Sequence, residues 1–208
     1  MQREHAEHTL ETIRTLMERS QRYEHLSGYS GLVAGGLALA GSGTLAVHWL
    51  PVSADAAFAI VWTVVFILAF ATNAVLTANR AHRRGEPVWS RQARTVVLSV
   101  MPAFVTGVAI SVPFARMGQL QFLPAVWLTL YGCGALTTSF FAPRSIAVLG
   151  ATCLTLGIIS LVVLPDRPLL TMSVGFGLTH VLFGFSVLVA ERREKREQAF
   201  WAAVEQIK

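Results

Sequence analysis

Apolar positions gather into six runs along the chain: residues 28–50, 56–78, 95–115, 122–141, 145–164 and 168–190. Each run is about 20 residues, and at ~1.5 Å rise per residue a helix of that length crosses a hydrocarbon core of ~30 Å. No Asp, Glu, Lys or Arg stands in the middle of any run. Charged residues collect between the runs and at the two ends. The pattern predicts an all-α fold: a six-transmembrane-helix bundle with cytoplasmic amphipathic N- and C-terminal helices.

The polar ends carry a second pattern. Ala6, Leu10, Ile13 and Met17 recur at spacings of four, three and four, which places them on one helical face. Phe200, Val204 and Ile207 share a face at the other end, with Trp201 beside them. The reading is three parts: 1–27, a cytoplasmic amphipathic helix; 28–190, the membrane domain; and 191–208, a cytoplasmic C-terminal helix. The C-terminal helix is expected at the membrane interface, with assembly against the N-terminal helix or another subunit as the functional alternative. The first 27 residues hold no apolar h-region, so a cleavable signal peptide is not expected.

Composition agrees with a membrane domain. Of 208 residues, 53% are hydrophobic and only 14% charged, where a soluble domain carries about a quarter charged. Orientation follows from Lys and Arg. Fifteen of them lie on the side that holds both termini, and only Arg116 and Arg167 lie on the other. That asymmetry puts both termini in the cytoplasm. It also accounts for the net charge of +5, so nucleic acid is not an expected partner. Membrane lipid is one, and so is a protein partner reached through transmembrane or cytoplasmic helices.

Four connections are short: 51–55, 116–121, 142–144 and 165–167. Short connections make successive spans antiparallel neighbours and leave little chain for catalysis. The connection 79–94 is longer and basic, N-R-A-H-R-R-G-E-P-V-W-S-R within it. It reads as a topology determinant, with a docking site for acidic protein or phospholipid headgroups as the sharper alternative. There is no H-E-x-x-H, G-x-S-x-G, Walker A or C-x-x-C sequence. No catalytic residue, resident cofactor or metal is expected.

Four features at membrane depth remain. Gly31-x-x-x-Gly35 is a close-packing pattern in a glycine-rich first run. It reads as packing inside the monomer, or against another protein's helix. His180 is the histidine deep in a run, with Gly177 and Gly184 three and four residues away. It reads as a structural histidine turned into the bundle; the cofactor alternative is an axial haem ligand, with the small residues making room for the macrocycle. Cys133 and Cys153 read as reduced, buried thiols rather than members of a Cys/Cys/His metal site. Asn73, with Thr72 and Thr77, reads as a source of interhelical hydrogen bonds, or as a small polar ligand site.

Several stretches resemble a group of uncharacterised bacterial six-span inner-membrane proteins. They are I-R-T-L-M-E-R-S before the first run, W-L-T-L-Y-G-C-G in the fourth, the turn S-F-F-A-P-R-S-I, and G-F-G-L-T-H-V-L-F-G in the sixth. The resemblance implies a bacterial inner-membrane location and no assigned activity. Two function classes stay open: a non-catalytic accessory or interaction subunit of a larger membrane assembly, and a small-molecule binder such as a transporter substrate-binding subunit.

Overall fold

The computed structural model describes residues 28–83 and 85–205; the amphipathic pattern of the first 27 residues lies outside them. Every regular element among the described residues is helical. They are α1 (Gly28–Ala46), α2 (Ala54–Arg83), α3 (Arg91–Arg116), α4 (Leu123–Thr138), α5 (Arg144–Val163), α6 (Pro168–Thr171) and α7 (Thr179–Glu205). A 3-10 turn, Leu120–Phe122, leads into α4, and a π-helical segment, Met172–Leu178, joins α6 to α7. Five stretches are long and apolar enough to cross a membrane: Ala54–Arg83, Arg91–Arg116, Leu120–Thr138, Arg144–Val163 and Pro168–Trp201. The first run falls short of that measure. Six of its 19 helical residues are glycine, which adds no apolar side chain.

The ends of the helices depart from the apolar runs in three places. First, α1 stops at Ala46 rather than near Leu50; His48, at φ 49°, takes the left-handed conformation that ends it. Second, most of the connection expected at 79–94 is helix. α2 continues to Arg83, where Gly85 at φ 68° closes it, and its N–H bonds the His82 carbonyl at 3.1 Å. A glycine in this conformation is the usual helix stop. α3 starts at Arg91, capped by Ser90, whose hydroxyl accepts from the Ala93 N–H at 3.1 Å. Among the described residues the non-helical part of this connection is 85–90. Third, no break separates the last span from the C-terminal helix: α7 runs without interruption to Glu205.

Neighbouring helices pack most extensively as α4 with α5, α1 with the last helical rod, α3 with α4, and α1 with α2. The core sits between α4, α5 and the π segment, where Leu128, Pro124 and Cys153 are fully enclosed. By contrast, α2 buries only Ala57 and Ala81, and α3 only Ala93 and Gly107. Pro102 and Pro113 stand inside α3 and each removes a backbone donor there.

Candidate functional site

The inner face of α1 is built from absent side chains. A methyl added at Gly28 would lie 2.7 Å from the Gly184 carbonyl oxygen, and one added at Gly35 2.6 Å from the Gly177 oxygen. One added at Gly31 would meet Gly184 and the His180 carbonyl at about 3 Å. The four glycines singled out in the sequence, Gly31, Gly35, Gly177 and Gly184, are thus brought together in one seam between α1 and the last helical rod, Gly177 in its π segment and Gly184 in α7. Successive contacts climb α1 as they descend the last helix, so the two run antiparallel. Backbones that touch gain dispersion contact over their whole length, which is what holds helices together where lipid competes equally for apolar surface.

A second seam, with no counterpart among the glycines singled out in the sequence, joins α4 to α5. A methyl at Gly150 would lie 2.8 Å from the Leu136 nitrogen and 3.0 Å from the Gly132 oxygen, and one at Gly157 2.6 Å from the Thr129 nitrogen. Its signal was the seven-residue spacing of Gly150 and Gly157, two turns on one face.

His180 stands where these seams meet. It is 7% exposed, and its Nε2 lies 2.9 Å from the Tyr131 hydroxyl of α4. The Tyr131 ring is 5.1 Å from the imidazole between centroids, and Phe176 stacks on the imidazole at 5.9 Å and 22°. Nδ1 is buried and has no hydrogen-bond partner among the described residues. Polar residues in a membrane turn inward to find a partner; here the partner is a phenol that was part of W-L-T-L-Y-G-C-G. The space flanking His180 is not free for a macrocycle, because Gly177 receives the Leu39 side chain and Gly184 the α1 backbone.

The π segment just before His180 matters to this placement. The Thr179 N–H donates to the Val174 carbonyl five residues back, and its hydroxyl donates to the same oxygen at 2.9 Å. π turns are wider than α turns and rotate the succeeding helix about its axis; they recur at functional sites. Gly175 lets this wide turn press on Leu128, and Cys153 places its Sγ 4.0 Å from the Gly175 oxygen. Cys133 does not join it. Cys153 is in the core, while Cys133 is exposed on the surface of α4, because twenty residues apart on antiparallel helices they match in depth but not in direction. Among the described residues, no three metal-binding side chains cluster.

Asn73 departs furthest from expectation. It is exposed on α2, with no side-chain hydrogen bond to any described residue; Thr72 and Thr77 are half-buried beside it. The interhelical bond expected of it is not made among the described residues. Elsewhere on α2, Phe66, Phe70 and Val75 are 46%, 63% and 57% exposed. The end of α2 is held to α7 by Arg80, whose guanidinium donates to Glu191 at 2.7 Å.

No protein-family model matches the chain, no curated protein matches it, and no solved structure matches it.

Proposed function

We propose that this chain is a six-span, non-catalytic subunit of a larger membrane assembly, set in a bacterial inner membrane with both termini cytoplasmic. The observation that carries the reading is Asn73. Seven residues separate it from Arg80, about 10 Å along the helix at ~1.5 Å per residue, which puts its amide below the headgroups. An amide without a partner in hydrocarbon costs several kcal/mol, and an Asn side chain is too short to reach water from there. A polar group on a neighbouring protein's helix would complete it, and such bonds are worth about 0.6–2 kcal/mol between membrane helices. The six-span topology draws on the fifteen-to-two split of Lys and Arg and on α1, which lies antiparallel along the last rod although its glycines weaken it as a lone span.

The test is a photo-crosslinking residue at position 73, irradiated in native membranes. The expected result is an adduct with a second protein. Adducts with lipid alone would overturn the reading.

One observation favours a small-molecule binder instead. The Ser42 hydroxyl and the Trp62 indole N–H are both buried without a partner, on adjoining α1 and α2. A small polar solute between these helices would satisfy them. The shortness of every connection between spans counts against it, since none can cap a ligand. Mass spectrometry of the protein extracted directly into lipid nanodiscs separates the two readings: co-purifying protein supports the first, a bound stoichiometric solute the second.

A further inference from the structure

At the end of the bundle where α1 begins, the helices stop at different heights. α2 and α3 have 30 and 26 residues, about 45 and 39 Å at ~1.5 Å per residue, whereas α4 and α5 have 16 and 20, about 24 and 30 Å. Two contacts fix where the shorter pair stops. The Ser99 hydroxyl of α3 lies 3.3 Å from that of Thr138, the last residue of α4, and Thr137 donates to the Ser99 carbonyl at 3.4 Å. Phe183 of α7 packs on the cluster of Ala135, Ala142 and Ile146 that seats the α4–α5 turn. Beyond Ser99, α3 extends eight residues further, to Arg91. Beyond Phe183, α7 runs eight residues to Glu191, the partner of Arg80. The turn, residues 139–143, is therefore set back about 12 Å from its neighbours.

Charge begins at the same uneven heights. No charged residue stands between Phe183 and Glu191, and Phe185 is 62% exposed there. On α3 the nearest charge is Arg94, five residues beyond Ser99. At the turn it is Arg144, the first residue of α5. Arg144 is exposed and makes no ion pair or side-chain hydrogen bond with a described residue. Phe140, in the same turn, is 82% exposed, more than any other large apolar side chain described. A cation held at hydrocarbon depth is costly, whereas a bilayer thins readily to meet a short span.

We propose that phospholipid headgroups of the cytoplasmic leaflet enter this setback. The membrane boundary is then stepped around the bundle, drawn in beside the α4–α5 turn and standing further out beside α3 and α7. Arg144 takes a lipid phosphate in a charge-assisted hydrogen bond, its stem lying along the apolar surface. Tilting the whole bundle does not level the step, because α3 and the approach to α4 meet at their other ends, where Phe114 packs on Phe122. The proposal rests on the six-span topology with cytoplasmic termini, and not on a partner at Asn73.

Spin labels test it on the full-length protein in vesicles of mixed phosphatidylcholine and phosphatidylglycerol. The background is Cys133→Ala; Cys153, fully buried, stays. Phe140→Cys and Phe185→Cys carry the label at nearly the same height in the bundle, so a flat boundary at any depth gives both the same reading. A stepped boundary should let a water-soluble nickel chelate reach position 140 about tenfold more than position 185, because polar reagents are excluded from hydrocarbon. Adding Arg144→Gln should bring position 140 down toward the reading at 185. Equal access at the two positions would overturn the step and leave the topology standing. Unchanged access in Arg144→Gln would overturn the phosphate contact. Labelling of position 140 by an impermeant maleimide outside intact cells would overturn the cytoplasmic placement itself.

Discussion

Tyr131 and His180 meet at 2.9 Å in the middle of the bundle, phenol oxygen to imidazole nitrogen, and tie α4 to the last helix. Both groups are walled in by Phe176 and the π segment, so neither can turn to water if the other is lost.

Tyr131→Phe should therefore cost more than the bond itself. It leaves a buried imidazole nitrogen bare, at about 1–3 kcal/mol, whereas removing both partners together is close to neutral. Thermal unfolding in a mild detergent should show Tyr131→Phe and His180→Phe each lowering the midpoint, with the double variant recovering part of the loss. Additive losses would mean that the two groups are not coupled.

The glycine seam predicts a sharp contrast along one helix. Gly35→Leu drives a side chain into the Gly177 carbonyl and Val181, where backbone must move, while a methyl at Gly36 meets nothing within 4 Å. Overpacking typically costs about 1–3 kcal/mol, more where backbone blocks the new group. Gly35→Leu should lower folded yield and melting temperature, and Gly36→Leu should leave both near wild type. The reverse order would place the α1–α7 contact elsewhere.

The ion pair between Arg80 and Glu191 is about a quarter exposed on each side. Its contribution should be small, ~0.2–1 kcal/mol, and screened by salt. Glu191→Gln should shift the melting midpoint slightly at low ionic strength, with the shift fading in molar salt. A large, salt-independent loss would mean that Glu191 supports the α2–α7 contact in another way.

Topology can be read directly. A reporter fused after Ala54 should fall on the opposite side of the membrane from one fused after Lys208, which should report the cytoplasm. Both reporters on one side would remove the six-span arrangement.

Much of the architecture was legible because hydrocarbon imposes it locally. An apolar run near 20 residues without charge has few fates other than a spanning helix, and five of the six runs coincide with such helices. That His180 must turn inward follows from its polarity; that Tyr131 receives it does not. The connection at 79–94 misled in the other direction. Its Arg and His residues read as loop, yet α2 carries Arg80, His82 and Arg83 in its last turn, where cations suit the helix dipole.

The membrane character, the number of apolar runs and the charge asymmetry around them were determined by the sequence alone, since each depends only on composition over one helix length. Which face of each helix points inward was decided by the tertiary structure. In water, an apolar stripe against a polar one marks the buried face. Inside a bilayer, lipid and protein core are equally apolar, and that contrast disappears. Shape takes its place. Gly31 and Gly35 turn toward the last helical rod because only there do two backbones fit without side chains between them, and Asn73 is left exposed although its polarity alone would turn it inward.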